Sequence, residues 1–147
     1  MNVHAKVTRD PIDPLALLDR VAQPAAGAAI LFIGRVRDHN EGRAVDALRY
    51  EAYEPMCEKV LADIAEEAAA RVSVDRGPAR VAVEHRIGNL SLGEASVIIA
   101  VATGHREEAF DIARYVIEQI KQRLPIWKQE HYADGDSGWV AGSRPDP

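Results

Sequence analysis

The sequence predicts an α+β fold in which helices pack on a mainly antiparallel sheet. Two observations predict it: apolar residues recur at helical spacing in two long segments, and short apolar runs, partly β-branched, twice follow one another directly. Strands that are neighbours in sequence can pair antiparallel through a short connection, whereas parallel strands need a long crossover between them. We therefore expect a layer of helices on one sheet.

The first third of the chain contains three predicted strands and a short helix. A strand is predicted at residues 3–7, and Asp13 can cap the helix that follows, with Pro14 at its first position. The apolar run at 28–34 has the length and composition of a buried strand, and it leads into a polar loop. Residues 45–53 are predicted to form the strand that pairs with the run at 28–34.

The rest of the chain predicts two long helices and two more strands. From Pro55 to Val72 apolar residues recur every three or four positions, which indicates an amphipathic helix. Residues 80–87 and 95–103 are predicted strands, joined through GNLSLGE. A second long helix is marked by apolar residues between 109 and 120, and Pro125 ends it because proline lacks the N–H that a helix requires.

Composition and charge limit the possible functions. The 147 residues carry 18 Lys+Arg against 23 Asp+Glu, a net charge of −5, which argues against broad nucleic-acid binding. No repeat or linker-like run divides the chain, so we expect one domain over residues 1–140 and a flexible tail at 141–147. No apolar run approaches the ~20 residues of a membrane helix. A single cysteine, Cys57, excludes a disulfide framework, and we expect a cytoplasmic protein.

Two segments could bind an anion. TGHR, at 103–106, precedes the second long helix, and a helix start presents free N–H groups and a positive dipole end to which His105 and Arg106 add. The loop at 34–40 places Arg35 and Arg37 close to His39 at the end of a buried strand. Alternatively, the first segment is only a helix cap and the second is only a polar turn.

A third segment, KQRLPIWK at 121–128, contains two of the four lysines in the chain. Lys121 lies one turn after Ile117, so its stem can cover apolar surface while its ammonium reaches a pocket. If the chain is extended beyond the helix, Lys128 shares a face with Ile126, opposite Trp127. A partly buried lysine near other cations has a lowered pKa, which makes its neutral form accessible. Alternatively, both lysines are surface charges near a helix C-terminus.

No metal site is predicted. His85 alternates with the apolar residues of a predicted strand, and His4 and His131 have no companions at metal-ligand spacing. Cys57 is interpreted as a small packing residue in the first turn of a helix. Glycine-rich nucleotide-binding motifs and the serine-hydrolase motif are missing as well.

Three stretches together resemble the large, catalytic subunit of molybdopterin synthase. They are GAAILFIGRVRDHNEGRAVDALRYEAYEPM, VEHRIGNLSLGEASVIIAVATGHREEAF and IKQRLPIWKQEHYADGDSGWV, and they extend over about residues 27–140. The resemblance implies an α/β hammerhead fold and a homodimer of large subunits within a heterotetramer. Each large subunit would bind a small ubiquitin-like sulfur-carrier subunit whose C-terminal Gly-Gly thiocarboxylate enters the active site. Because sulfur arrives on this partner, no metal or other cofactor is implied.

The resemblance also implies a reaction and a set of site residues. The reaction converts cyclic pyranopterin monophosphate (precursor Z) into molybdopterin by adding two sulfurs as a dithiolene. By motif position, the substrate-binding residues are Arg37, His105 and Arg106, and the catalytic residues are Lys121 and Lys128. We expect Lys121 at the carrier's C-terminal carbonyl and Lys128 in proton transfer or in stabilising negative charge. The family commonly has an arginine near its C-terminus that reaches toward the neighbouring subunit's active site. In this chain the only counterpart of that arginine is Arg144.

Two other functions remain open at this point. A noncatalytic adaptor could dock the tail of a ubiquitin-like protein, with the lysines as electrostatic contacts. A small phosphate-binding domain could use the helix start at His105 and Arg106 alone. The presence of two separately placed amines favours the enzyme, because docking needs charge but not two amines. The enzyme hypothesis expects these side chains to converge around one anionic reactant.

Overall fold

Three α-helices and nine strands make up the described part of the chain. The computed structural model describes residues 2–40, 42–133, 135 and 137–140. In chain order the elements are β1 (Val3–Thr8), α1 (Pro14–Val21), β2 (Ala28–Arg35), β3 (His39–Asn40), β4 (Arg43–Ala52), α2 (Glu54–Ala70), a 3₁₀ turn (Val74–Arg76), β5 (Ala79–Arg86), β6 (Gly88–Ser91), β7 (Ala95–Thr103), α3 (Arg106–Arg123), β8 (Ile126–Tyr132) and β9 (Ser137–Val140). The predicted α+β class is confirmed.

The strands form two sheets. The first has the order β1-β5-β7-β2, in which β1 and β5 are parallel and the other pairs are antiparallel. The second has the order β3-β4-β8-β9, with β6 also paired to β4, and all of its pairs are antiparallel. The mainly antiparallel arrangement agrees with the prediction, but the division into two sheets was not predicted. The prediction that residues 45–53 pair with the strand at 28–34 is wrong, because β4 pairs with β3, β6 and β8 in the second sheet, whereas β2 pairs with β7 in the first. Within the described residues β2 pairs only with β7, so it is an edge strand.

The helices cover both faces of the first sheet. Helices α2 and α3 pack on one face, where Ile99 and Val101 of β7 are fully buried. Helix α1 packs on the other face against Ile98 and Ala100 of the same strand. Successive side chains of a strand point to opposite faces, so a strand covered on both sides is apolar at every position. This explains why β7 has a continuous apolar run.

The helix ends follow from local sequence. The Asp13 carboxylate accepts hydrogen bonds from the backbone N–H groups of Leu15 and Ala16, at 3.0 and 3.3 Å, so the predicted cap is confirmed. Helix α2 begins one residue before Pro55 and ends at Ala70, so Val72 lies outside the helix in which it was predicted.

Within the described ranges, no helix is both long and apolar enough to cross a membrane.

Candidate active site

A cavity of about 230 Å³ lies between the first sheet, helix α3 and the second sheet. Its lining includes four cationic side chains: Arg35, Arg37, Lys121 and Lys128. We call it the lysine cavity. Cationic groups around a recess lined partly by apolar side chains attract anions and hold them more strongly than the same charges in open water. The lysine cavity is therefore suited to an anionic reactant.

The two lysines meet because α3 and β8 are joined by only two residues. Lys121 is in the last turn of α3, one turn after Ile117, which also lines the cavity. The segment after Pro125 is the strand β8, as the extended interpretation requires, and Lys128 is its third residue. Ile126 is fully buried, and Lys128 lies on the same face of the strand. The lysine stems thus border the core while their ammonium groups reach the cavity.

The electrostatics of the cavity lower the pKa of Lys121. Partial burial lowers the pKa of Lys121 below its ordinary value, and the positive charges of Lys128 and Arg37 lower it further. The neutral amine is therefore more accessible here than in a solvated lysine. A neutral amine can accept a proton or attack a carbonyl carbon, which the ammonium cannot do.

The lysine cavity also contains polar groups that sequence reasoning missed. Glu130 is only 2% exposed, and its Oε1 accepts a hydrogen bond of 2.8 Å from the side-chain amide of Asn40. Tyr50 and Ser96 line the cavity as well. Strand alternation was the available signal for Glu130, which follows Lys128 by two positions and shares its face. The signal for the other two depends on long-range strand pairing.

His105 and Arg106 lie outside the lysine cavity. They line a separate recess with Arg76 and Phe110 at the start of α3. Arg106 precedes Lys121 by 15 residues on the same helix, which at 1.5 Å per residue separates their backbones by about 22 Å. The expected convergence of all the site residues around one reactant therefore does not occur within a single chain. Arg37, Lys121 and Lys128 come together, whereas His105 and Arg106 form a second group.

The turn before α3 is held closely against its neighbours. The Thr103 hydroxyl donates a hydrogen bond of 2.6 Å to the His105 carbonyl, and a Cβ at Gly104 would lie 2.6 Å from the Arg76 carbonyl oxygen. We expect Gly104→Ala to lower the free energy of unfolding by about 2 kcal/mol, because backbone must move to admit the methyl group. Urea unfolding measures the change. Gly138→Ala is the matched control, since its Cβ would meet nothing within 4 Å. Equal midpoints for the two variants would contradict the expectation.

Cys57 and His85 are both buried, which favours a structural role for each of them. No group of three His, Cys, Asp or Glu residues within the described ranges is placed to hold a metal ion. Burial raises the pKa of Cys57 to about 12, so its thiol stays protonated. His85 is fully buried, and burial lowers its pKa to about 4, so its ring is neutral. Arg144 lies outside the described residues.

The fold and the lysine cavity define an α+β protein with an amine-containing site for an anionic reactant. The chain belongs to the MoaE protein family, whose sequence profile matches residues 7–123. It is 42% identical over 139 residues to the molybdopterin synthase catalytic subunit of Thermoplasma volcanium, covering 95% of this chain and 98% of that protein. It is 46% identical over 117 residues to the protein of the same name from Synechococcus elongatus, covering 80% of this chain and 69% of that one.

A solved structure has the same fold. Molybdopterin synthase from Staphylococcus aureus superposes with a TM-score of 0.85 at 35% identity, over 92% of this chain and 96% of that chain. The MoaE protein of Burkholderia ambifaria superposes with a TM-score of 0.77 at 34% identity, over 98% and 92%. These similarities confirm the family resemblance and the α/β hammerhead fold that it implies.

Proposed function

We propose that this chain is the catalytic subunit of a molybdopterin synthase and that it converts precursor Z into molybdopterin. The observation that supports this most directly is the meeting of Lys121 and Lys128 with Arg37 in one cavity. The relatives are named as catalytic subunits, which implies a further subunit in the enzyme. We place the protein in the cytoplasm, because its single cysteine is buried and unpaired, which fits a reducing compartment.

Sulfur transfer explains why an acidic protein has a cationic cavity. The cyclic phosphate of precursor Z and the C-terminal thiocarboxylate of a carrier protein are both anions, so Arg35, Arg37 and the lysines can hold them close together despite their mutual repulsion. Lys121 acts at the carrier's acyl carbon, where its accessible neutral amine can accept a proton. Lys128 stabilises the negative charge that develops on the pterin side chain. Sulfur thus arrives on the partner, and the chain contributes binding, orientation and proton transfer.

An apolar strip joins the two groups of site residues. Phe110, Ile117 and Lys121 occupy positions on α3 that lie on one face of the helix, and Phe110 is 64% exposed. Phe32, on the edge strand β2, is 36% exposed and lines the lysine cavity with Ile117. An apolar edge strand beside an exposed aromatic is typical of a surface that another chain covers.

A second copy of the chain would complete the site. In a two-fold dimer the same surface meets itself in reverse order. If the strip formed by Phe110, Ile117 and Phe32 lies in that interface, the start of α3 in one copy lies beside the end of α3 in the other. His105 and Arg106 of one copy would then face the lysine cavity of its partner, and the five predicted site residues would surround one reactant.

Arg106 has the clearest expected effect on substrate binding. We expect Arg106→Ala to weaken binding of precursor Z about tenfold or more, because a charge-assisted hydrogen bond to the phosphate is lost. Isothermal titration calorimetry with precursor Z measures the dissociation constant. Arg20→Ala, at an exposed position in the last turn of α1, is the matched control. An unchanged dissociation constant for Arg106→Ala would remove this residue from the site.

Reconstitution tests the proposed function as a whole. The purified chain is mixed with a thiocarboxylated carrier protein and precursor Z, and dithiolene formation is measured. The proposal predicts a dithiolene product and conversion of the carrier's C-terminus to a carboxylate. A noncatalytic adaptor would bind the carrier's tail without forming product, and a phosphate-binding domain would bind precursor Z without binding the carrier.

A further inference from the structure

The turn that leads into β7 contains a carboxylate that takes no part in the proposed mechanism. Residues 91–94 form this turn, and the Glu94 N–H donates to the Ser91 carbonyl at 3.2 Å. In return, the Ser91 N–H donates to the Glu94 carboxylate at 2.8 Å. Gly93 lies between them with a φ of +80°, a conformation that glycine adopts without a steric penalty. Two hydrogen bonds between the same two residues therefore close the turn.

The other carboxylate oxygen of Glu94 is bound by a buried arginine. Arg86, the last residue of β5, is only 6% exposed, and its Nη1 donates to Glu94 at 2.6 Å. Its Nη2 donates to the Arg9 carbonyl at 2.9 Å, so the guanidinium is itself held in place. The Ser91 N–H and, second to it, the Arg86 guanidinium hold the pKa of Glu94 below its ordinary value. Charge-assisted hydrogen bonds are stronger than neutral ones, so Glu94 ties the turn firmly to β5.

The same turn holds the segment that contains Arg37. The Val36 N–H donates to the Glu94 carbonyl at 3.0 Å, and the Gly93 N–H donates to the Val36 carbonyl at 3.0 Å. Val36 is 4% exposed and lies between Arg35 and Arg37, both of which line the lysine cavity. Because the N–H and the carbonyl of Val36 are both bonded to the turn, the backbone of the next residue is placed by the turn as well.

These two hydrogen bonds join two connections between the sheets. Val36 lies in the connection from β2 of the first sheet to β3 of the second. The turn at 91–94 is the connection from β6 of the second sheet to β7 of the first. The lysine cavity is lined by residues of both sheets. A movement of the turn would therefore displace Arg37 relative to Lys121 and Lys128.

We propose that Glu94 is a positioning residue for Arg37. Its ion pair with Arg86 fixes the turn, and the two hydrogen bonds of the turn with Val36 hold Arg37 where its guanidinium can bind the anionic reactant. Hydrogen bonds weaken steeply when their distance or angle departs from the optimum, so a loosened turn weakens binding although every cavity side chain is still present. The effect on substrate binding rests on the proposed function, whereas the hold on Val36 does not.

Glu94→Gln tests the hold on Val36. Glutamine keeps the size of the side chain but has one acceptor oxygen in place of two, so it cannot keep the bonds from Ser91 and Arg86 in their present geometry. The Glu94 side chain is 37% exposed, so the variant is expected to fold. In amide hydrogen exchange followed by NMR, we expect the exchange rate of the Val36 N–H to rise about tenfold relative to that of the Ile99 N–H in the buried strand β7.

Binding of precursor Z shows whether the effect acts through Arg37. By isothermal titration calorimetry we expect Glu94→Gln to weaken binding about fivefold, and to have no further effect in a chain that already carries Arg37→Ala. A merely structural role of Glu94 would lower the affinity by the same factor in both backgrounds. Asp63→Asn is the matched control and should change neither readout. Asp63 pairs with Lys59 at 3.3 Å on α2, its side chain is 43% exposed, and it does not line the lysine cavity.

The possible outcomes separate this inference from the proposed function. If Glu94→Gln leaves the exchange of Val36 unchanged, or accelerates Val36 and Ile99 equally, the inference is overturned. It is also overturned if Glu94→Gln leaves the affinity of the otherwise wild-type chain unchanged, or weakens binding equally with and without the Arg37 side chain. If the wild-type chain neither binds precursor Z nor forms dithiolene, the proposed function fails, and the exchange rates alone decide whether Glu94 holds Val36.

Discussion

Lys121→Ala is expected to slow dithiolene formation at least about 100-fold, the range for loss of a positioned proton-transfer group. The physical reason is that Lys121 combines an accessible neutral amine with a place in the same cavity as Lys128 and Arg37. Single-turnover reconstitution with a thiocarboxylated carrier measures the rate without contributions from product release. The fold should survive, because Lys121 is exposed along part of its side chain and is not a core residue.

A matched lysine variant separates a specific effect from a loss of charge. Lys59→Ala removes an exposed lysine that pairs with Asp63 at 3.3 Å on α2, far along the chain from the cavity, and it should leave the rate unchanged. Lys121→Arg keeps the positive charge but removes the neutral amine, so it should stay slow. Full activity in Lys121→Arg would show that Lys121 contributes only its positive charge. Full activity in Lys121→Ala would show that the catalytic assignment is wrong.

The pH dependence has a defined sign. If Lys121 accepts a proton, the rate rises with pH as its ammonium is deprotonated and then levels off. Burial together with the charges of Lys128 and Arg37 moves this rise to a lower pH than that of an ordinary lysine. Lys128→Ala should move the rise back toward higher pH, because one of the neighbouring positive charges is lost. That shift is visible in a pH profile even though the variant is slower.

The lysines could be placed from sequence because each depends on a local periodicity. Lys121 follows Ile117 by one helical turn, so helical spacing predicts its position at the edge of the buried stripe. Lys128 follows buried Ile126 by two residues, so strand alternation predicts its face. The chain between them is short, which brings the end of α3 and the start of β8 together. Local rules were sufficient for this half of the site.

Helix length explains why His105 and Arg106 were misplaced relative to the lysines. Both groups lie on α3 or at its start, and a straight helix keeps residues 15 positions apart at a distance of about 22 Å. This separation follows from the sequence once the helix is recognised, whereas a motif comparison contains no distances. The motif therefore indicated the residue types but not the number of chains that would have to supply them.

Tyr50 could not be placed from sequence because its position depends on long-range pairing. Tyr50 faces Lys128 only in the register of β4 with β8, whose strands are more than 70 residues apart in the chain. Shifting that register by one residue would move each side chain of a strand to the opposite face. The parallel pairing of β1 with β5 is equally non-local. Such contacts reflect the packing of whole layers, which no local pattern specifies.

Two impaired variants, Lys121→Ala and Arg106→Ala, are expected to restore activity to one another when they share a dimer and are assayed at precursor Z concentrations below the wild-type dissociation constant. In a two-chain site, each mixed dimer has one cavity with both substitutions and one cavity with neither. With random pairing half of the dimers are mixed, so about a quarter of the wild-type activity should return. Co-expression of the two variants with different affinity tags, followed by the reconstituted assay, measures this recovery.

The reciprocal mixture distinguishes a shared site from a site within one chain. When wild type is co-expressed with the double variant Lys121→Ala/Arg106→Ala, a shared site is intact only in wild-type homodimers, so about a quarter of the activity should remain. A site built within one chain would instead leave about half, and the two single variants would then restore nothing. The activities of the two mixtures together decide whether the site is shared between two chains, without a structure of the dimer. Because the two residues lie at opposite ends of α3, only the shared site allows both to contact one reactant.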